Sequence, residues 1–388
     1  MFMPTSNANL NKVRRDIFLG LRESGYSPVG FINSVNTVPA ATEAAVGDII
    51  KVPIGKAGKM VNTPVGFNFP DEAGSDVDSI NMELTFAKTV PIDWKGEDQK
   101  AVMNSGAWGT VKAQQFADAF NQIRDAIEKS VAEEAVKNSS RAYGSAGTAP
   151  FADGTKMGDM AQMKGILDVN KAPKVGRSIV LSSEAETSLL TNQINLIKVN
   201  EAGSDAALRQ GIILPTYGFA VRSSAQLEEH VKGEGTGYLT NLDSALAPEA
   251  REIAVDTGSG AILAGDVITF AGDANKYVVN SNNTTTTTSI TIGEPGLRKS
   301  LADGVAITSV NSYTPSIAFH KSAIALAIRP PKAPVEGDMM ERTLVTDPYT
   351  GITFEIALVK GQRVVQYQVS AVWGVKAVNP AWIATLLG

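Results

Sequence analysis

The sequence predicts an elongated α+β protein built from several parts, and three observations carry that expectation. In SINMELTFAKTVPIDW (79–94), Ile80, Met82, Leu84, Phe86, Val90, Ile92 and Trp94 fill the even positions, with Lys88 the one break, against small or polar odd positions. Such alternation marks a strand with one buried face. At roughly 3.3 Å per residue the run would reach about 50 Å, whereas ordinary strands have about 5–6 residues. Next, residues 111–143 change period: Phe116, Phe120, Ile123, Ile127 and Val131 recur at spacings of 4, 3, 4 and 4, one face of a helix. About 30 residues at 1.5 Å each would extend roughly 45 Å. Third, residues 231–312 are rich in Gly, Thr, Ser, Asn and Asp, carry short β runs and show no helical pattern. They interrupt a region that alternates helix and strand signals on both sides.

Taken in order, Asn11 to Arg22 reads as a short helix with Val13, Ile17 and Leu21 on one face. GYSPVGFINSVNTVPAAT then reads as an extended arm, and DIIKVPI as a strand. Residues 55–79 form a turn region of Gly, Pro and Asp before the long alternating strand, so 46–94 is a hairpin with a large tip. On the long helix, Asp125/Lys129 and Glu133/Lys137 are i, i+4 pairs suited to a solvated face. Met157 to Asp168 reads as a helix, RSIVLS (177–182) as a buried strand, and Ser183 with Glu186 as a capping box opening a helix that ends near Asn192. Ser204 to Gln210 is a further helix stopped by Gly211, and GFAVRSS (218–224) a strand. EIAV, DVITFA, KYVV, TSITI and VAITSV are close-spaced short strands, the pattern of a small barrel or sandwich. Thr314 at an N-cap and Pro315 at N1 would open a helix over PSIAFHKSA, followed by the strand AIALAIR (323–329). TDPYTG (346–351) is a turn, and ITFEIALVK with RVVQYQVSAVWGVKAV forms a second long antiparallel pair joined at 360–362.

The 388 residues suffice for two or three domains, with 43% hydrophobic and 19% charged content. A net charge of −5 gives no electrostatic reason to expect nucleic-acid or anionic-membrane binding as the main activity. There are no cysteines, hence no disulfide, thiolate metal site or cysteine nucleophile. No apolar run approaches the roughly 18 residues of a membrane span. The opening MFMPTSNANLNKVRRDIF lacks a signal-peptide core, so synthesis in the cytoplasm is expected.

Motifs that would carry chemistry are missing. His230 and His320 stand about 90 residues apart without GxSxG, HExxH or CxxC around them, and are expected at a surface or interface. GEGTG (233–237) lacks the Lys-Ser/Thr of a phosphate loop and reads as a flexible hinge; IGKAGK (54–59) lacks the strand and helix such a loop needs. The carboxylates Asp71, Glu72, Asp76 and Asp78 lie near the hairpin tip without EF-hand spacing. They read as a solvated acidic loop, or as partners for a neighbouring subunit's lysines. No catalytic residue, metal ligand or cofactor site is expected.

GDVITFAGDANKYVV (265–279), SYTPSIAFHKSAIALAIRPPKAP (312–334), LVTDPYTGITFEIALVKG (344–361) and VSAVWGVKAVNP (369–380) together resemble major capsid (coat) proteins of tailed bacteriophages. The resemblance is to the short-tailed Salmonella-phage type with an inserted β-barrel. Local likeness is strongest over about 240–388; over 1–230 it rests on the order of elements. The resemblance implies the Hong Kong-97-type fold: an N-terminal arm (1–45), an extended loop (46–96), a peripheral domain with the spine helix (97–149 and 335–388), an axial domain (150–230 and 313–334) and an insertion domain (231–312). It implies self-assembly into pentamers and hexamers of an icosahedral shell around double-stranded DNA, with scaffolding and portal proteins as partners, non-specific contact with DNA, and a place in the virion capsid. In that setting Phe86, Ile92 and Trp94 would be buried partly on their own sheet and partly on a neighbour. The four acids of the hairpin would lie at the same interface. Pro91 would mark an edge position, since it cannot donate to a ladder. Gly96, Gly106 and Gly109 would serve as hinges between settings of the same chain. An encapsulin-like compartment shell and a cytoplasmic α/β enzyme are the alternatives. The first shares the fold but not the inserted segment; the second would require a pocket of convergent polar groups.

Overall fold

The structure is a computed structural model that describes residues 8–24, 29–38, 43–56, 76–104, 108–153, 157–193, 209, 211, 213, 215–280, 287–333 and 340–388. Its helices are α1 (Ala8–Ser24), α2 (Gly96–Asn104), α3 (Trp108–Lys137), α4 (Gly158–Val169) and α5 (Ser183–Asn192). Its strands are β1 (Asn36–Val38), β2 (Ile49–Lys56), β3 (Asp76–Glu83), β4 (Phe86–Lys95), β5 (Arg141–Gly144), β6 (Arg177–Leu181), β7 (Phe219–Ser223), β8 (Leu239–Thr240), β9 (Glu252–Asp256), β10 (Val267–Phe270), β11 (Lys276–Val278), β12 (Ser289–Thr291), β13 (Ile307–Ser309), β14 (Pro315–His320), β15 (Ile324–Arg329), β16 (Met340–Thr346), β17 (Thr353–Lys360), β18 (Val364–Ala377) and β19 (Ile383–Leu387).

The apolar stripe of α3 organises the largest core. Phe116, Phe120, Ile123, Ile127 and Val131 are all buried, and they pack on one face of a sheet ordered β1-β15-β18-β17-β16, with β4 also paired to β18. Ile324 and Leu326 of β15, and Val369, Ala371 and Trp373 of β18, supply that face. Helix α1 completes the layer through Val13, Ile17 and Leu21. It lies close enough to α3 that a Cβ on Gly20 would meet the Cβ of Phe116 at 2.7 Å.

The opposite face of this sheet holds a smaller core. Ala325 and Ala327 of β15 and Val372 of β18 receive Met82, Leu84, Val52 and Ala44. Small side chains there leave a shallow socket for the root of the β2–β3 hairpin. This corrects the expectation of one continuous strand over 79–94. The run is broken at Leu84 and Thr85: β3 pairs only with β2, and β4 pairs with β18 from Phe86↔Trp373 to Lys95↔Val364. The physical reason lies at the break. Gly47 and Leu84 close the hairpin root through Gly47 N–H to Leu84 O (2.9 Å) and Leu84 N–H to Asp48 O (3.0 Å). The chain passes over β18 at Gly374, where a Cβ would stand 2.3 Å from Glu83 O. Alternation therefore persists while the strand changes partners.

A second, eight-stranded sheet has the order β13-β10-β11-β5-β19-β14-β6-β7. Helices α4 and α5 pack through Met160, Met163, Leu167, Ala185 and Leu189 against Ile179, Leu181 and Phe219. The predicted helix over PSIAFHKSA is instead strand β14 followed by a 3-10 turn (Lys321–Ala323). Every residue from Pro315 to Phe319 is buried between β6 and β19. Ile317 and Phe319 face one core and Ala318 the other, so burial on both faces overrides the capping signal. Pro315 opens the strand, where its missing N–H is tolerated.

Between β7 and β14 the chain forms a closed ring of six strands. Ladders join β8 to β9, β9 to β12, β11 to β10 and β10 to β13. The bridges Val279↔Ile292 and Leu239↔Ala306 close the remaining two gaps. Tyr238, Ile253, Ile268, Phe270, Tyr277 and Ile290 fill its interior. The ring is joined to the α/β strands through β11 and β5. GEGTG is not a loose hinge here. Gly233 donates its N–H to the Asp266 carboxylate (3.1 Å to Oδ2), and a Cβ on Gly233 would meet Ala261 O at 2.3 Å. These glycines permit close backbone packing.

Two smaller corrections concern helix starts and the arm. The cap of α5 is Ser182, whose Oγ accepts the Ala185 N–H, rather than Ser183. Part of the predicted extended arm is a buried turn, with Phe31, Ile32 and Val35 in the main core. The helix expected over 204–210 falls almost entirely outside the described residues.

Candidate assembly interface

The structure separates the residues that the alternating run had grouped. Ile92 and Trp94 are buried by their own chain, against α3 and its sheet, and Trp94 meets Trp108 edge-on at 4.7 Å. Within one copy they are already largely covered, at 8% and 5% exposure. Phe86 differs: it is 39% exposed and stacks on Trp373 at 5.6 Å. Asp78 is exposed on β3 and its Oδ1 accepts the Ser79 N–H. Asp76 opens β3, while Asp71 and Glu72 lie outside the described residues. Gly96 opens α2 and Gly109 lies in the first turn of α3; Gly106 is outside the described residues. Neither Gly96 nor Gly109 adopts a positive φ, and neither has a crowded Cβ position. Pro91 sits opposite Gln368 on β4, which has no second strand beside it among the described residues.

The hairpin has two strands only: β2 and β3 form a sheet with no further strand among the described residues. Met82, Leu84 and Val52 are buried on the sheet, while Val46 and Ile49, beside the Gly47–Leu84 root, are 57% and 60% exposed. Two strands alone are marginal in water, and exposed apolar residues on such a ribbon mark a surface that another surface can cover. The socket gives a test. Gly374→Ala is expected to displace the hairpin root, since the new methyl would overlap Glu83 O. Limited proteolysis within 76–85 should accelerate while the remaining core resists; unchanged cleavage would refute this role for Gly374.

Three buried ionic groups fix the long helix, and periodicity did not single them out. Arg124 and Asp347 form an ion pair at 2.7 Å with both side chains essentially inaccessible. Glu128 accepts the N–H groups of Phe31 (3.0 Å) and Ile32 (2.9 Å) and the Ser224 hydroxyl (3.3 Å). This one carboxylate thus ties α3 to the arm and to the end of β7. Burial pushes its pKa up, with the donated hydrogen bonds opposing. Lys112 lies over the rings of Trp108 (4.4 Å) and Tyr367 (5.0 Å), and burial lowers its pKa. A signal existed in the sequence: Arg124 and Glu128 each follow a core isoleucine, Ile123 and Ile127, placing charge at the edge of the apolar stripe.

Because the folded-state pKa of Glu128 is raised, the folded chain binds that proton more tightly than the unfolded chain. Its stabilising contribution is complete below the unfolded carboxylate pKa and is lost as pH rises through the raised folded value. Urea denaturation across that window should show wild type losing stability relative to Glu128→Gln as pH increases. A constant difference would contradict it.

His230 Nε2 lies 2.9 Å from Asp266 Oδ1, and His320 is held by Ser322 and the Val175 carbonyl. Both histidines are therefore engaged within the fold. Among the described residues, no group of three His, Asp or Glu side chains is placed to hold a metal ion. A surface cleft of about 510 Å³ beside β5 holds Asp153, Asp159 and Lys276, but Asp159 accepts the Phe151 N–H (2.6 Å) and Lys276 donates to Gly144 O. No described helix is long and apolar enough to cross a membrane.

Comparison with solved structures finds chains of similar extent at low identity. A structure described as Mycobacterium phage Che8 is 14% identical, covering 88% of this chain and 84% of that one, at a TM-score of 0.45. The capsid of cyanophage P-SCSP1u is 12% identical over 93% and 89%, at 0.47. A virus-like particle from Pyrococcus furiosus is 9% identical over 98% and 99%, at 0.45. No family model and no curated protein matches the sequence.

Proposed function

We propose that this chain is a shell-forming structural protein, the major capsid protein of a tailed bacteriophage. Copies assemble into pentamers and hexamers of an icosahedral shell that encloses double-stranded DNA, and its place is the virion capsid. The observation that carries the reading is the β2–β3 hairpin, a two-stranded ribbon that no other described strand flanks, rooted in a socket on its own sheet with Val46 and Ile49 exposed beside that root. In a shell that ribbon lies on an adjacent copy and its apolar residues become interface. The arm, extended loop, spine helix with its sheet, axial α/β domain and inserted six-stranded ring then take the roles the family resemblance implies. Scaffolding and portal proteins are the partners during assembly, and contact with DNA is weak and non-specific, in keeping with a net charge of −5.

Electron microscopy of the purified protein, with light scattering for size, tests the reading. Closed shells of uniform diameter, or tubes and spirals of the same subunit, are expected. A monodisperse monomer or dimer that stays small when a scaffolding protein is co-expressed would overturn it.

A further inference from the structure

We infer that neighbouring copies dock head to tail, with a lysine-ringed apolar corner of the eight-stranded sheet seated on the acidic flank of the next copy's six-stranded ring. This rests on the proposed shell reading and names one contact within it. The corner is formed by the turns that precede β6 and β7. Arg177 is paired with Phe219 at the start of the parallel β6–β7 pair, so the turns that hold Val175 and Tyr217 open at the same end of the sheet. Val175 is 87% exposed and Tyr217 46% exposed. Thr216 and Phe219 exchange backbone hydrogen bonds of 3.0 Å around Tyr217 and Gly218, whose φ values are 53° and 85°. The left-handed conformation at the first of these positions favours Asn, Asp or Gly. A tyrosine there is strained, and about half of it stays exposed. Backbone strain at an exposed site is a pointer to function. Lys171, also left-handed at 58°, and Lys174 flank the corner. Lys321 joins them through its N–H to Gly176 O (3.0 Å). All three lysines are exposed, and none is in an ion pair among the described residues.

The complementary surface lies on the ring. Residues 231–312 carry nine carboxylates against five lysines and arginines, which accounts for most of the chain's charge of −5. Glu252 and Asp256 occupy outward positions of β9, and Asp243 and Glu249 are exposed beside it. Ala247 and Pro248 are exposed in the same segment. None of these four acids is in an ion pair among the described residues. Each surface thus offers an apolar centre with charge of one sign around it. Such complementarity steers encounter and fixes register.

One chain does not bring the two surfaces together. β6 and β11 are separated by β14, β19 and β5, about 19 Å at roughly 4.8 Å per step. Contact between unlike surfaces of identical copies is heterologous, and it generates a ring when the rotation closes.

Charge reversal tests the contact. Lys171→Glu with Lys174→Glu and Lys321→Glu is one variant; Glu249→Lys with Glu252→Lys and Asp256→Lys is the other. Each is expected to lower the sedimenting particle fraction by roughly tenfold, while the six-fold combination restores it. Thermal unfolding of the soluble subunits checks that they are folded. If either triple variant does not fold, Val175→Ser with Tyr217→Ser replaces it and is expected to reduce assembly in the same direction. Folded variants that assemble like wild type, or a folded combination that does not recover, would overturn the contact and leave the shell reading standing. Lost retention of double-stranded DNA with assembly intact would assign the lysines to nucleic acid and also overturn it. A wild-type chain that never assembles removes the shell reading and this contact with it.

Discussion

Asp347→Ala is expected to cost about 3–5 kcal/mol of stability, because it strands the Arg124 guanidinium without its counter-charge in the core. Both partners are inaccessible and 2.7 Å apart, so water cannot replace the lost carboxylate. The same side chain organises the turn between β16 and β17. Its oxygens accept the N–H groups of Tyr349 (3.0 Å) and Thr350 (3.2 Å), and the Thr350 hydroxyl donates to Oδ2. The loss therefore has an electrostatic part and a turn part. Replacing both partners, Arg124→Met with Asp347→Asn, should recover a large share, since the amide keeps an acceptor for the turn and no buried charge remains. Denaturant midpoints of the two single variants and the double variant measure this. A double variant as unstable as the sum of the singles would show that the ion pair is not the cause.

Trp373→Ala ranks beside it, at about 3–5 kcal/mol for removing a large aromatic from a packed core. Trp373 is fully buried, its indole N–H donates to Ser130 Oγ at 2.9 Å, and Phe86 stacks against it. The residue thus joins β18, α3 and the first residue of β4. Trp373→Phe keeps most of the volume and loses one hydrogen bond, with an expected cost of about 1–2 kcal/mol. Thermal or denaturant melts should order the variants wild type, Phe, Ala. Equal losses for Phe and Ala would place the hydrogen bond, rather than the packing, in control.

The parts of the fold that the sequence announces are those where one periodicity meets one environment. α3 follows its stripe because Phe116 to Val131 face a single core. Val13, Ile17 and Leu21 behave likewise in α1. Reading falters where tertiary contacts decide. PSIAFHKSA has a good helix-start signal, but its place between β6 and β19 makes it a strand. The run from Ile80 to Trp94 keeps its alternation across a change of partners, and no local residue type marks that change. The glycine that permits it, Gly374, lies nearly 300 residues further along the chain. The same limit applies to the surfaces. Ile92, Trp94 and Phe86 look alike by pattern, yet only Phe86 keeps substantial exposure. The turns holding Val175 and Tyr217, separated by about 40 residues in sequence, come to the same end of the sheet only through the parallel β6–β7 pairing.

The shallow alanine socket under the hairpin has a mechanical consequence. β2 runs eight residues outward from its root, a lever of roughly 25 Å. A tilt of about 10° at the fulcrum would sweep its far end through roughly 4 Å, given that length. Small methyl groups at Ala325 and Ala327, with Gly374, set the depth at which Met82 and Leu84 seat, and so set the angle of that lever. The direction of the ribbon is therefore set by the few residues around Leu84 and Gly374, far from the core that α3 organises.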